Sequence, residues 1–335
     1  MTAWRNGRRV LVGAAAVASF SCGPGSSEPG PDPWAPPPPT RDLPAEIVPA
    51  AFLDSIKALM PGRDSDGYVP PTTDERVAMV ALMDRARSGD LRGADSLAWK
   101  YRYDIEQTVD AATGDTLIVM VERSPIRRGW GTLLYNPQGV AVDVQIDHPL
   151  FDVNTPRVAA TLYDDCRCRA LLMAGTHRYA NANDVSDMAR STTSVFQGIH
   201  ERLGLDANMV ISVHGFARAN HNQPTSTSDA VLSNGATSAG TLAASDGARA
   251  LRDRLVAAGF VAGLVADDTG YTELTGSVNP QGKWSNDRYG HGRWVHVEIA
   301  REVRDDGGRW QEFAAGLAEW AGALARQGAT LLRSR

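Results

Sequence analysis

Four stretches of this sequence place histidine near an acid or an arginine at the end of, or inside, an apolar run. DHPLFDVNT, from Asp147 to Thr155, sets His148 four residues ahead of Asp152. GTHR closes another run with His177 and Arg178, SVHGF holds His214 followed by Gly215, and WVHVEIA carries His296 and Glu298 two positions apart. Imidazole nitrogens and carboxylates are the ordinary ligands of a catalytic zinc ion, which takes two histidines, one carboxylate and a water whose pKa falls to roughly 7. A second carboxylate must then accept the proton. Glu298 is the candidate for that general base, and Arg178 is the candidate to hold a substrate carboxylate or an oxyanion by paired N–H donors. Each residue also has a plainer use. A histidine at a strand end is more often simply hydrogen-bonded, and Asp152, followed by Asn154 and Thr155, is a good helix N-cap. Glu298 has Arg301 and Arg304 within reach as partners for its charge. His200, in FQGIHERL, lies at helical spacing from Phe196 and Leu203 and reads as structural, while His221 and His291 lie in loops rich in Gly and Asn.

The elements that must position these residues follow from hydrophobic period. VAVDVQID, RALLMAGTH, MVISVHG, VAGLVAD and WVHVEIA read as strands, with helices through Thr155 to Asp165, Ser191 to Leu203 and Ala244 to Ala258, and a closing helix from Trp310 to Leu332. Alternation of this kind predicts an α/β fold, a mostly parallel or mixed sheet with helices on both faces, with function at the carboxyl ends of the strands. His296 and Glu298, at period two, share one face of their strand. Upstream, residues 41–130 read as a small helical and β-hairpin extension before an α/β domain at 131–335. Its cues are two short helices around Ile47, Phe52, Ile56 and Leu59, then Val77, Val80, Leu82 and Met83. WKYRYDIEQTV and DTLIVMVERS follow as a hairpin joined across Asp110 to Gly114. Cys166 and Cys168 stand too close for an easy disulfide and have no second cysteine pair for a metal; they read as two semi-buried thiols at a helix end.

The chain has 335 residues, 43% of them hydrophobic, enough for a sizeable core. A net charge of -5 with scattered Lys and Arg gives no basic stripe, so nucleic acid is not an expected partner. Arg5, Arg8 and Arg9 precede an apolar run, Val10 to Phe20, too short to span a bilayer, as in an export signal. The sequence SFSC that follows resembles the lipobox of a bacterial lipoprotein. Residues 1–22 are therefore expected to be a signal peptide, with Cys22 lipidated and tying the chain to the membrane of the cell envelope; ordinary secretion is the alternative. Residues 23–40, GPGSSEPGPDPWAPPPPT, read as a Pro-rich linker.

A family resemblance orders these pieces. The succession of HPLFDVNT, a strand ending at Gly175, SVHGF, GARALRDRLVAAGF before a strand, and GRWVHVEIAREVR resembles the zinc-dependent poly-γ-glutamate hydrolases and the related N-formylglutamate amidohydrolases, over roughly residues 140 to 305. Those proteins share a phosphorylase/hydrolase-like fold with the zinc carboxypeptidases. The resemblance implies His148, Asp152 and His214 as zinc ligands and a catalytic role for Glu298. Where the family has two glycines after the first histidine and a glutamate one position further along, this chain has Pro149, Leu150 and the shorter Asp152. That departure leaves His177, ending the adjacent strand, as an alternative ligand. The function so implied is an exported, metal-dependent hydrolase of an amide bond, with a small-molecule or peptide substrate of glutamyl or cell-wall type. The rival is a non-enzymatic envelope lipoprotein that keeps the fold and binds a ligand or a protein partner. A serine hydrolase is disfavoured, since no G-x-S-x-G elbow occurs.

Overall fold

Residues 43–236 and 247–333 are described in the computed structural model. The segments read as signal peptide and linker, and Cys22 with them, lie outside the described residues. The first elements are a two-residue strand β1 (Glu46–Ile47) and three helices, α1 (Pro49–Lys57), α2 (Thr73–Arg87) and α3 (Leu91–Ala98). Thr72 starts α2 with a capping box, its side chain accepting from the Glu75 N–H while the Glu75 carboxylate accepts from the Thr72 N–H. The hairpin forms as expected from β2 (Tyr103–Asp110) and β3 (Thr116–Glu122), paired antiparallel. It does not stand apart. β3 pairs with β4 (Thr132–Tyr135), which pairs antiparallel with β6 (Cys168–Met173), so the hairpin extends one continuous sheet.

Strand and helix then alternate: β5 (Val140–Ile146), α4 (Thr155–Cys166), β6, α5 (Val195–Gly204) and β7 (Met209–Phe216). After β8 (Ala230–Ser233) come α6 (Gly247–Ala257), β9 (Ala262–Leu264), α7 (Pro280–Tyr289), β10 (Trp294–Ala300), α8 (Arg301–Asp305) and α9 (Arg309–Arg333). The sheet runs β1-β2-β3-β4-β6-β5-β7-β10-β8-β9. Its centre, β6-β5-β7-β10, is parallel, and the antiparallel pairs flank it, so the sheet is mixed. No helix among the described residues is long and apolar enough to cross a membrane.

Period two sorts the central strands by chemistry. Val142, Val144 and Ile146 of β5, Ile211 and Val213 of β7, and Val295, Val297 and Ile299 of β10 join a core that also contains Leu53 of α1, Val158 and Leu162 of α4, Leu251 of α6 and Phe313 of α9. Helices α2, α3 and α5 form a second cluster on the other face with Ile105, Ile118, Met120, Leu133 and Leu172. The intervening positions of β5, β7 and β10, among them Asp143, Gln145, Ser212, His214, His296 and Glu298, face away from the first core and are buried as well. Buried polar groups need partners. Arg169 of β6 donates to both oxygens of Asp143, at 3.0 and 2.6 Å, and Gln145 Nε2 lies 2.8 Å from Nδ1 of His200. His200 is the structural residue its spacing suggested.

One expectation is corrected. The sulfurs of Cys166 and Cys168 are joined, where two free thiols were expected. Arg167 takes a left-handed conformation (φ 50°, ψ 50°) between the end of α4 and the start of β6, and this reversal brings the two Cα atoms to 5.1 Å, within the span a disulfide bridges.

Candidate metal centre

β5 ends at Ile146, and Asp147 and His148 open the turn that leads to α4. The Asp152 N–H donates to the His148 carbonyl at 2.9 Å, a single turn that folds the four-residue gap back on itself. It carries Asp152 Oδ2 to 3.3 Å from His148 Nδ1. The same oxygen lies 3.3 Å from Nδ1 of His214, on β7. Asp152 is thus not a cap: Asn154 precedes α4, with φ 70° and no capping side-chain bond, and the Thr155 hydroxyl donates to the Asp152 carbonyl at 2.7 Å. The two imidazoles stand 4.9 Å apart at 76° to one another.

This donor set fits a metal ion. Four ligands at the 2.0–2.1 Å typical of zinc–nitrogen and zinc–oxygen bonds define a tetrahedron whose edges are roughly 3.3 Å, and both His–Asp edges measure 3.3 Å. Among the described residues, His148, Asp152 and His214 form one set of donor atoms lying within 4.8 Å of one another, and His214, His296 and Glu298 form a second that shares His214. In both histidines of the first set the far nitrogen is also held. His148 Nε2 lies 2.8 Å from Asp187 Oδ1. His214 Nε2 lies 3.0 Å from the Ser212 hydroxyl and 3.6 Å from Asp147 Oδ2. Anchoring Nε2 fixes the ring and presents the Nδ1 lone pair, as in carboxylate–histidine–metal arrangements. Asp147 is fixed in turn by the Ser212 hydroxyl at 3.1 Å and the Asn279 amide at 3.0 Å. Ser212, His214 and Asp147 do not make a nucleophilic triad, because serine and aspartate face the same ring nitrogen and Ser212 is fully buried.

The electrostatics suit a cation. Burial alone would push the Asp147 carboxyl up, yet the facing His214 outweighs it and holds it at about 2. Burial would likewise lower His214, but Asp147 and Asp152 keep it well above the usual imidazole range. The histidines are standing in for the positive charge that these carboxylates attract.

Glu298 pairs in parallel register with His214, so the two side chains are neighbours on one sheet face. Its Oε1 lies 3.6 Å from Nε2 of His296, and its Oε2 is buried without a hydrogen-bond partner. The arginine partners that sequence offered go elsewhere. Arg301 pairs with Asp305 at 3.1 Å, and Arg304 donates to backbone carbonyls. Burial pushes the Glu298 carboxyl up to about 7, with His214 opposing the rise and Asp152 adding to it. His296 Nδ1 also lacks a partner, and its ring stacks on Trp294 with centroids 5.6 Å apart.

A cavity of about 460 Å³ opens over these groups, lined among others by His148, Phe151, Arg178, His214, Glu298 and Arg304. Arg178 donates from Nη2 to Asp187 Oδ2 at 2.5 Å, while its Nε has no partner. Asp187 therefore joins the cavity arginine to His148. His177 is not drawn into either donor set: its Nδ1 accepts the Tyr179 N–H at 3.0 Å and its ring packs against Phe151 and Tyr179. Sequence reasoning missed Asp147, Asp187, Ser212 and Asn279. Asp147 had a signal, since Asp143, Gln145 and Asp147 alternate along β5, and Asn279-Pro280 is a helix-start pair. Asp187 sits in the loop between β6 and α5 and had none.

No protein-family model matches this chain, and no curated protein does. Among solved structures, a bacteriophage poly-γ-glutamate hydrolase is similar at 12% identity and a TM-score of 0.39, covering 60% of this chain and 89% of its own. An N-formylglutamate amidohydrolase from Ralstonia eutropha is similar at 13% identity and a TM-score of 0.38, covering 60% and 99%. A metallo-carboxypeptidase from Pseudomonas aeruginosa is similar at 10% identity and a TM-score of 0.36, covering 78% and 70%.

Proposed function

We propose that this chain is a zinc-dependent hydrolase that cleaves an amide bond beside a carboxylate-bearing group, in a substrate of glutamyl or cell-wall peptide type. One observation supports this above the others: Asp152 lies 3.3 Å from a nitrogen of each of two histidines, one of which, His214, stands on the sheet beside Glu298, whose Oε2 is buried and unpartnered. Zinc held by His148, Asp152 and His214 would supply a Lewis acid and a water of lowered pKa. Glu298, which lines the cavity, accepts the proton of the attacking water and returns it to the leaving nitrogen; a carboxyl raised to about 7 can hold a proton between the two transfers. Arg178, braced by Asp187 and lining the cavity, takes the substrate carboxylate. Phe151, Val153 and Val278, all exposed at the cavity, offer an apolar rim to the aliphatic part of the substrate.

The reading includes location. The basic and apolar pattern from Arg5 to Phe20 supports export, and the lipobox-like SFSC supports a lipid anchor on Cys22, or secretion where that cysteine is not modified. The test is metal analysis of the purified protein with hydrolysis assays on γ-glutamyl, α-glutamyl and N-acyl-glutamate amides. About one zinc per chain should survive mild dialysis, the His148→Ala, His214→Ala double variant should lose it, and chelation should abolish hydrolysis that zinc restores. A zinc content well below one per chain, or one unchanged in the double variant, would leave a ligand-binding envelope protein as the better account.

A further inference from the structure

We propose that Arg304 is the positioning residue of the metal centre: one buried guanidinium that ties together the three backbone segments carrying Asp152, His214 and Glu298. The inference rests on the reading of His148, Asp152 and His214 as metal ligands. Arg304, on α8, is buried, and each of its three side-chain nitrogens donates to a different carbonyl. Nε donates to Ile299 at 3.0 Å, Nη2 to Phe216 at 3.3 Å, and Nη1 to Val153. Ile299 follows Glu298, Val153 follows Asp152, and Phe216 lies two residues past His214. The planar, rigid fork of a guanidinium carries its donors on three separate nitrogens and so reaches three carbonyls that stand apart, whereas the three donors of lysine's compact ammonium radiate from a single nitrogen.

Two features show that the fold is built around this contact. A Cβ on Gly215, the residue after His214, would overlap the Arg304 guanidinium, so β7 needs glycine there for the arginine to approach. Arg157 of α4 donates to the Arg304 carbonyl, fixing α8 from the other side. Among the described residues Arg304 makes no ion pair of its own. Its charge instead faces Asp152 and Glu298 at longer range. The contact matters most for Asp152. His214 and Glu298 are held side by side by sheet pairing, whereas the turn of Asp152 belongs to no strand. The Ser212–Asp147 bond of 3.1 Å ties the start of that turn to β7; past the ligand contacts, its far end at Val153 is joined to β7 and β10, among the described residues, through the Val153–Arg304 bond, with the exposed Asn154–Asp305 bond of 2.8 Å beside it.

The test uses the full chain with cobalt(II) in place of zinc, reading affinity by chelator competition and coordination geometry by the visible spectrum. Arg304→Met should weaken cobalt binding by about 10- to 100-fold, the usual scale for loss of a group that orients a ligand, and should change the spectrum. Arg304→Lys should fall between it and the wild type. Gly215→Ala, which keeps the arginine but displaces it, should resemble Arg304→Met. A purely structural arginine would lower the melting temperature of the metal-free protein and leave cobalt affinity and spectrum unchanged in the folded variants; that result overturns the proposal. Should Arg304→Met not fold without metal, the other two variants decide, and wild-type spectra and affinities in both overturn it. A wild-type protein that binds no cobalt removes the metal-ligand reading itself, an outcome distinct from variants that bind as well as wild type.

Discussion

Glu298 and Asp187 are both buried carboxylates next to a histidine, yet they should do different work, and single substitutions can separate them. Glu298 has one oxygen without a partner and belongs to the donor set beside the ligands. Replacing it by the isosteric glutamine removes proton transfer and keeps the shape. Glu298→Gln is therefore expected to lower the hydrolysis rate by about 10²- to 10⁴-fold, with zinc content unchanged. If zinc is lost along with the rate, Glu298 is a ligand and the proposed division of roles is wrong. Asp187 holds His148 through one oxygen and Arg178 through the other. Asp187→Asn should weaken metal binding by about 10- to 100-fold, because His148 loses the charged acceptor that sets its tautomer. It should also raise KM for acidic substrates, because Arg178 loses its brace. Asp184→Asn, at an exposed side chain whose only ion pair among the described residues is a 3.7 Å contact with Arg190, serves as the control and should change neither.

At the scale of elements, the legible parts were those with sustained period. VAVDVQI, RALLM, MVISV and WVHVEIA announced β5, β6, β7 and β10, and the spacing of Phe196, His200 and Leu203 announced α5. Other elements escaped, and β4, β8 and α7 show why. β4 and β8 are four residues each and are defined by antiparallel partners distant in the chain, a long-range fact that local pattern does not carry. α7, PQGKWSNDRY, is rich in poor helix formers, and its start lay in Asn279 and Pro280 rather than in any apolar stripe. The hairpin was legible, but its membership of the main sheet was not, for the same reason as β4. The ligand pair His148 and Asp152 was visible as spacing; its supports were not, because Asp147, Ser212 and Asn279 meet only when β5, β7 and α7 pack. Asn279 shows how an element reports to the site. Its Oδ1 accepts from the N–H groups of Gln281 and Gly282, capping α7, while its Nδ2 donates to Asp147. Asn279→Ala should cost about 1 kcal/mol for the cap and a further 1–3 kcal/mol or so for the unsatisfied buried carboxylate, and it should weaken metal binding. Asn279→Ser can cap but supplies no amide for Asp147. It should recover part of the melting temperature and little of the metal affinity, and recovery of both would show that Asp147 does not depend on this contact.

For the whole molecule, the governing fact is that the central strands bury polar groups on one face. Parallel strands covered on both sides are ordinarily apolar throughout, and here the polar face is filled by the Asp143–Arg169 pair, the Gln145–His200 contact and the metal centre. Burying so many ionisable groups makes stability depend on proton uptake, and one group outside the site makes that dependence testable. Asp164, near the far end of α4, has a buried oxygen with no hydrogen-bond partner. Burial, and then the carboxylates of Asp110 and Asp165, push its carboxyl up to about 8. The unfolded chain releases this proton near pH 4 or so, so between about pH 4 and 8 the folded state binds the proton that the unfolded state has lost. Stability is therefore fully present below pH 4 and declines as pH rises toward 8. Asp164→Asn removes the titration without removing the volume. Its melting temperature should match the wild type at pH 4 and exceed it at pH 8.5 by a few degrees. That corresponds to an advantage on the order of 1–2 kcal/mol once the part of the carboxyl that water screens is discounted. Because both proteins share the metal centre, its own titration cancels in the difference between their melting curves. A variant no more stable than wild type at pH 8.5, or more stable by the same margin at pH 4, would show that Asp164 does not hold its proton in the fold.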